Sequence, residues 1–152
     1  MYKIFIIILL IITDLLTKKI IYDSIDLNTF ISILPFFDLA HIHNYGISFG
    51  LFANQIKPWI IVLISSLVTI VIIVMAINSK SVIEKWGLIL IVAGAISNTI
   101  DRAMNNYVLD FIYMHYKEFY WPAFNFADIY ITIGFLTIFY QIIINIKKND
   151  VT

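Results

Sequence analysis

The sequence has no cysteine, three prolines and five glycines among its 152 residues, and 13% of its residues are charged. The lack of cysteine excludes disulfide bonds, thiol catalysis and cysteine-bound metal. Ten acidic and ten basic side chains balance each other. The chain therefore has no net charge that would attract nucleic acid or an anionic surface, and we expect no nucleic-acid partner.

Apolar residues make up 61% of the chain. Soluble domains carry about 25% charged residues, so we expect lipid to be the main solvent of this chain. A helix needs about 20 mostly apolar residues to cross a membrane, and isolated runs of that length satisfy their backbone groups only as helices. Four runs qualify, at about 2–22, 59–77, 86–103 and 127–146. They predict a single integral membrane domain over residues 1–152, an all-α membrane protein with four transmembrane helices.

The two longer connections, 23–57 and 104–126, lie on the same face of the membrane if the chain crosses it four times. Residues 29–34 and 36–43 of the first connection are rich in Ile, Phe and Thr. Such runs are typical of short strands. We therefore expect a small extracytoplasmic β-sheet.

The second connection contains an aromatic-rich segment, residues 113–121, with Lys117 and Glu118 in its middle. This composition predicts a short interfacial helix that lies along the lipid headgroups. A further hypothesis is that this segment closes as a lid over a functional site at the same membrane face.

Basic residues are equally frequent at the two membrane faces, so their raw count does not fix the orientation. If Lys18 and Arg102 belong to a site and not to the topology signal, the remaining count favours cytoplasmic termini. We therefore expect both termini in the cytoplasm, and the two long connections near the outer leaflet.

Two aspartates, Asp110 and Asp128, bracket the aromatic segment. Further polar side chains occur at the adjoining ends of the third and fourth predicted helices: Asn98, Asp101, Arg102 and Asn125. Their i, i+3 and i+4 spacings place them on common helix faces. Ionisable residues at membrane depth are functional by default, so we interpret Asp110 and Asp128 as a functional pair.

Two neighbouring carboxylates are able to serve as the catalytic pair of an aspartic protease. The ionised carboxylate takes a proton from water, and the protonated one polarises the scissile carbonyl. Two close negative charges disfavour each other, which separates the two titrations. Asp128 lies near a helix N-terminus, and we hypothesise that it is the easier of the two to ionise.

Several of these polar residues also have a structural explanation. Asp101 and Arg102 are able to form an ion pair, and Asn125 is able to cap the fourth helix. Asp14 precedes Lys18 by four residues, an order that favours a helical ion pair. None of these roles excludes support of a site.

Two short motifs are weaker indications of function. Asn44 and Gly46 are typical of a turn. His41 and His43 would point the same way from a strand, but His115 is distant in sequence and no H-E-x-x-H motif occurs. We expect no metal and no other cofactor.

Five motifs occur in order along almost the whole chain. They are Asp14-x-x-Thr17-Lys18, Asn44-x-Gly46-x-x-Phe49-Gly50, Gly94-x-x-x-Asn98-x-x-Asp101-Arg102, Val108-x-Asp110-Phe111 and Phe124-Asn125-x-Ala127-Asp128. With this set the chain resembles the bacterial lipoprotein signal peptidases, also called signal peptidase II. It departs from them at Ala93 and Ser97, where members often have Gly, and at Ile47-Ser48, where members have two small residues.

The resemblance implies a membrane aspartyl endopeptidase of the cytoplasmic (inner) membrane, with its active site near the outer leaflet. Its substrates would be diacylglyceryl-modified prolipoproteins, cut just before the lipid-bearing cysteine. Asp110 and Asp128 would be catalytic, and the following residues would support the site or bind substrate: Asp14, Lys18, Asn44, Gly46, Asn98, Asp101, Arg102 and Asn125. The resemblance also implies binding of membrane lipid and of globomycin-like cyclic peptides, and no metal requirement. We expect a monomer.

Two other classes of protein remain as alternatives. A small proton-coupled membrane transporter would use its acids as a proton relay, but such acids are spread through the membrane depth, whereas these gather at one level. A structural or assembly subunit would not need its acids.

Overall fold

The computed structural model describes residues 2–47, 51–53 and 55–149, and the side chains up to residue 146. The helices are α1 (Tyr2–Ser24), α2 (Pro58–Asn78), α3 (Val82–Asn105) and α4 (Phe126–Asn149). The strands are β1 (Phe30–Leu34), β2 (Phe37–Asn44), β3 (Val108–Tyr116) and β4 (Phe119–Tyr120). The protein is thus mostly helical, with one small sheet.

The helix boundaries follow from local sequence. Pro58 opens α2, where its missing N–H would have no partner within the helix. Ser81 caps α3 by accepting a hydrogen bond from the main-chain N–H of Glu84 at 3.3 Å. Asn106 ends α3 in the left-handed conformation, with φ 66°, a common helix-ending position for Asn.

Three of the helices within the described residues are long and apolar enough to cross a membrane: α2, α3 and residues 126–146 of α4. The fourth predicted span falls on α1, which is a continuous helix of 23 residues. Its apolar length is interrupted by Asp14, Lys18 and Lys19. The coarse prediction of a helical membrane protein is therefore confirmed, whereas the number of spans stays a prediction.

Helix α3 is the central helix, because α1, α2 and α4 all pack against it. Glycines allow its close contact with α4. A Cβ atom on Gly87 would lie 2.8 Å from the carbonyl oxygen of Gly134, and one on Gly94 would collide with the carbonyl oxygen of Ala127. The two backbones are thus nearly in contact, and α4 begins at a fixed distance from α3.

The strands form one antiparallel sheet in the order β1-β2-β3-β4, so the prediction of a small sheet is confirmed. Asn44 at the end of β2 lies opposite Val108 at the start of β3. The sheet thereby joins the connection after α1 to the connection after α3. Ile21 of α1 and Ile25, which directly follows that helix, pack with Phe111 of β3.

The predicted interfacial helix at 113–121 is wrong. Tyr113 and Met114 continue β3 and pair with β2, and the chain turns back at Lys117, with φ 53°, into β4. Aromatic residues suit a strand that has a neighbour to pair with, and β2 supplies that neighbour from far away in the sequence. The aromatic segment is therefore a hairpin.

Candidate active site

The two aspartates that the sequence singled out come from different elements. Asp110 lies in β3 opposite Ile42 of β2, and 2% of its surface is exposed. Asp128 lies in the first turn of α4. Both line one cavity of about 550 Å³. The close approach of α4 to α3 and the pairing of β3 with β2 bring the two carboxylates to the same place.

Asn125 joins the two aspartates. Its side-chain oxygen accepts from the main-chain N–H of Asp128 at 3.0 Å, and the Asp128 carboxylate accepts from the main-chain N–H of Asn125 at 3.2 Å. This reciprocal pair is a capping box, which closes the N-terminus of α4. Because the oxygen is used by the cap, the amide nitrogen faces Asp110 and donates to its Oδ1 at 2.7 Å. Asn125 therefore caps the helix and also contacts the candidate site.

Asn44 contacts Asp110 from the opposite side. Its side-chain oxygen accepts from the main-chain N–H of Gly46 at 2.9 Å, and its nitrogen donates to Asp110 Oδ2 at 3.0 Å. Arg102 donates to the carbonyl oxygen of Gly46 and, at 3.4 Å, to that of Asn44. The predicted turn is thus present and is tied to α3. Ser48, Phe49 and Gly50 of the same motif lie outside the described residues.

Asn98 contacts Asp128 and connects it to an ionic cluster. Its side-chain nitrogen donates to Asp128 Oδ1 at 2.9 Å, and its oxygen accepts from the Lys18 ammonium at 2.8 Å. Lys18 also pairs with Asp14 at 2.8 Å and with Asp101 at 3.2 Å. The expected helical pair of Asp14 with Lys18 is confirmed as a contact.

The two acids of this cluster also bind neighbouring backbone. Asp14 accepts from the Ser97 hydroxyl at 2.7 Å and from the main-chain N–H of Ala127 at 2.9 Å, so a side chain of α1 helps to hold the first turn of α4. Asp101 accepts from the main-chain N–H of Leu109 at 2.9 Å, next to Asp110. The alternative in which Asp101 pairs with Arg102 is wrong, since Asp101 pairs with Lys18.

The environment of Asp110 favours its protonated form. Burial raises the pKa of Asp110 to about 7, and the negative charge of Asp128 acts in the same direction. The hydrogen bonds from Asn44 and Asn125, and the charge of Lys18, oppose the rise. A buried carboxyl that keeps its proton near neutral pH is suited to donate a hydrogen bond to a carbonyl.

The walls of the cavity include residues that sequence reasoning missed. Ile61 and Ser65 of α2, Thr99 of α3 and Ile129 of α4 line it together with Asp110 and Asp128. Trp121, from the segment that the sequence predicted as a lid, lines it as well. Ser65 was the available indication, as one of the few polar residues of α2. Ser97 was noted only as a departure from a family pattern, and its bond to Asp14 was not foreseen.

The histidines lie away from the cavity. His41 and His43 contact each other, with 3.0 Å between their Nε2 atoms, and His115 pairs with Asp38 at 3.3 Å. Within the described ranges, no three His, Asp or Glu side chains are grouped as a metal site would need. The expected absence of a metal stays a prediction.

Comparison with known proteins gives a consistent result. A family model described as "Signal peptidase (SPase) II" matches residues 6–144. The chain is 33% identical over 147 residues to a lipoprotein signal peptidase of Francisella tularensis subsp. novicida, covering 93% of this chain and 91% of the relative. It is 35% identical over 141 residues to a lipoprotein signal peptidase of Thermodesulfovibrio yellowstonii, covering 92% of this chain and 91% of the relative.

Solved structures share the fold as well. One, described as a bacterial membrane enzyme, superposes with a TM-score of 0.88 at 25% identity and covers 97% of this chain and 90% of that chain. A second with the same description superposes with a TM-score of 0.81 at 26% identity, covering 93% of this chain and 92% of that chain.

Proposed function

The chain belongs to the signal peptidase II family and removes signal peptides from prolipoproteins, and we propose that it does so as an aspartic endopeptidase with Asp110 and Asp128 as its catalytic pair. The observation that supports this chemistry most is the meeting of a buried carboxylate, Asp110, and a partly buried one, Asp128, in one cavity, each oriented by amide donors. Membership of a peptidase family replaces the transporter alternative.

The proposed reaction needs one proton shared between the two carboxyl groups. The ionised carboxylate accepts a proton from a water molecule as the water oxygen bonds to the scissile carbonyl carbon. The protonated carboxyl gives its proton to the carbonyl oxygen, which forms a neutral tetrahedral diol. The first carboxyl then protonates the leaving nitrogen, the C–N bond breaks, and a diol hydroxyl returns its proton to the second carboxylate. Both groups end in their starting states.

This mechanism predicts a bell-shaped pH profile. Cleavage is lost at low pH when both carboxyls are protonated, and at high pH when both are ionised. Because the raised pKa of Asp110 is about 7, the shared proton is retained below that pH and is lost above it. We therefore expect kcat/KM to fall as the pH rises through about 7.

The cavity suits a lipid-modified peptide. Its charged groups, Asp110, Asp128 and Arg102, occur beside apolar walls from α2 and α4. Arg102 itself lines the cavity, so its side chain is placed to donate a hydrogen bond to a peptide carbonyl. We propose that the substrate is a diacylglyceryl-modified prolipoprotein, cleaved before its lipid-bearing cysteine, and that globomycin-like cyclic peptides occupy the same cavity. Trp121, at the end of the 113–121 segment, also lines the cavity. Closure of this segment over the cavity as a lid stays a prediction.

We further propose that the polar residues around the pair support the site, either by orienting the carboxylates or by binding substrate: Asp14, Lys18, Asn44, Gly46, Asn98, Asp101, Arg102 and Asn125. Their contacts, given above, converge on Asp110, Asp128 and the backbone next to them.

We propose four spans, with α1 as the first. Asp14 and Lys18 are 0% and 4% exposed, and they pair with each other, so these two residues would present little charge to lipid. An even number of spans would place both termini on one side, which we take to be the cytoplasm of a bacterial inner membrane. The catalytic pair would then lie near the outer leaflet.

We propose that the monomer is active, since both aspartates come from one chain.

The test is cleavage of a lipid-modified prolipoprotein by purified protein in detergent. Asp110→Asn and Asp128→Asn keep the side-chain shape and remove the titrating group, so each is expected to lower kcat by at least about 10²–10⁴-fold. Asp23→Asn is the matched control, because Asp23 is exposed and pairs only with Lys19 among the described residues; it should cleave normally. Normal cleavage by either site variant would refute the catalytic pair.

A further inference from the structure

Lys18 has an unusual position for a charged side chain. It is 4% exposed, and its ammonium group contacts Asp14, Asp101 and Asn98 at 2.8, 3.2 and 2.8 Å. These three acceptors match its three N–H donors. The described lining of the cavity does not include Lys18. Lys18 is thus close to the catalytic pair without facing the space that substrate would occupy.

The contact with Asn98 fixes the direction of that amide. An ammonium group only donates hydrogen bonds, so the Asn98 oxygen must face Lys18. The amide nitrogen then faces Asp128, to which it donates at 2.9 Å. Turning the amide around would set its N–H groups against the ammonium and its oxygen against a carboxylate. Lys18 therefore determines that Asn98 offers Asp128 a donor.

The number of hydrogen bonds does not distinguish the two aspartates. Asp110 accepts from Asn44 and Asn125, and Asp128 accepts from Asn98 and from the main chain of Asn125. Both carboxylates thus receive two N–H donors.

The surroundings of the donors do differ. The amide oxygens of Asn44 and Asn125 are bound by neutral main-chain N–H groups, whereas that of Asn98 is bound by a cation. Asp128 also lies in the first turn of α4, where the helix N-terminus favours negative charge. Both differences favour negative charge on Asp128, whereas the charge of Arg102 acts on Asp110 more than on Asp128.

We propose that Lys18 is a positioning residue that acts through Asn98, so that Asp128 holds the negative charge of the pair and Asp110 holds the shared proton. The inference rests on the proposed aspartic mechanism. It assigns Asp128 as the group that takes the proton from water and Asp110 as the group that protonates the carbonyl oxygen.

The test is the pH dependence of kcat/KM for wild type and Lys18→Met, with the lipid-modified prolipoprotein in detergent. The charge of Lys18 favours the state in which one carboxyl of the pair is ionised. Removing that charge should move the acid limb, the pH range over which cleavage is lost on acidification, upward by about one pH unit. Cleavage should therefore fall about tenfold below the limb and recover above it. KM should stay unchanged, because Lys18 does not line the cavity. A purely structural role would lower activity at all pH values without moving the limb.

Lys19→Met is the matched control. Lys19 is the next residue of α1, and it forms an exposed pair with Asp23 at 2.7 Å. It has the same charge but no contact with Asn98 in the described structure. Its acid limb should coincide with that of wild type. A limb that moves equally in both variants would show a general charge effect and would overturn the proposal.

A double-mutant cycle tests the route through Asn98. Asn98→Ala removes the donor to Asp128 and should also raise the acid limb. If Lys18 acts through Asn98, adding Lys18→Met to Asn98→Ala should move the limb little further. Fully additive shifts would overturn the proposed route.

Removing Lys18 leaves Asp14 and Asp101 facing each other without a cation, so Lys18→Met is at risk of misfolding. Lys18→Met/Asp101→Asn restores the charge balance and serves as the second variant, with Asp101→Asn as its own reference. If neither form of the Lys18 change folds, Asn98→Ala decides, and an unmoved limb in that variant rejects the inference. If Asp110→Asn and Asp128→Asn are inactive but the acid limb of Lys18→Met does not move, the positioning role of Lys18 is wrong and the catalytic pair stands. If either aspartate variant is active, the proposed mechanism itself is wrong.

Discussion

Helices α2 and α3 lie side by side and show how this chain divides its residues between lipid and site. Helix α2 has no charged residue, and 11% of its apolar membrane-crossing stretch is buried inside the protein. In α3 the buried share is 39%, and its last turns contain Asn98, Asp101 and Arg102. The helix that looks most like a membrane span is therefore mainly a wall, whereas the more polar helix organises the fold.

The difference has a physical origin. Side chains that face lipid need only be apolar, so α2 tolerates almost any large aliphatic residue on its outer surface. Helix α3 has neighbours on three sides, so its residues must fit specific partners. We expect substitutions in α3 to have large effects that depend on position, and substitutions on the outer surface of α2 to have small ones.

The largest effect is expected from Gly94→Ala in α3. The new Cβ would collide with the carbonyl oxygen of Ala127 and lie 2.8 Å from a side-chain carbon of Ile131. Asp128 directly follows Ala127, so the first turn of α4 would have to move together with one of the two catalytic carboxylates. A displacement of about 1 Å costs about 100-fold in rate, and we expect kcat/KM for prolipoprotein cleavage to fall by that order.

Gly87→Ala separates this effect from a general loss of packing. Its Cβ would lie 2.8 Å from the Gly134 carbonyl oxygen, at the same helix pair but two turns further from the site. It should lower the thermal unfolding temperature while the folded fraction keeps most of its activity. If Gly94→Ala and Gly87→Ala lose activity in equal proportion, the specific coupling of Gly94 to Asp128 is wrong.

A same-residue comparison gives the next largest effect. Val92 in α3 is 4% exposed, and Val71 in α2 is 58% exposed. Val92→Ala removes two methyl groups from a packed interior and should cost about 1–3 kcal/mol of unfolding free energy. Val71→Ala removes the same groups from a surface that lipid or detergent refills, so its cost should stay within about 0.5 kcal/mol.

Thermal or denaturant unfolding in one detergent measures both changes. Equal destabilisation by the two variants would mean that α2 is covered by protein in the functional state, and that the contrast between the two helices is wrong.

The sequence predicted the helices and the small sheet, because apolar runs and strand-forming residues are local features. It did not predict the hairpin at 113–121, because aromatic residues suit both an interfacial helix and a strand. The choice depends on pairing with β2, which is distant in sequence. Long-range pairing of this kind leaves no local pattern.

The sequence predicted which residues form the candidate site, but it did not predict which of them contact each other. Helical spacing pairs Asp14 with Lys18, because both lie on α1. Adjacency in the chain was the ground for expecting Asp101 to pair with Arg102. The contact of Lys18 with Asp101 crosses from α1 to α3, and helical spacing describes residues of one helix only. The contribution of α2 to the cavity was missed for the same reason.

The smallest effect concerns a polar link between the two compared helices. The hydroxyl groups of Ser65 in α2 and Thr99 in α3 lie 3.0 Å apart and line the cavity. Interhelical hydrogen bonds in membrane proteins contribute about 0.6 kcal/mol on average, and we expect a coupling of that size in the Ser65→Ala and Thr99→Val cycle, measured by unfolding. Thr69→Val with Thr99→Val is the control cycle, because the Thr69 hydroxyl donates within α2 to the Ser65 carbonyl oxygen at 2.6 Å. A coupling no larger than that of the control would mean that α2 is held by apolar packing alone, which would make it still more purely a wall.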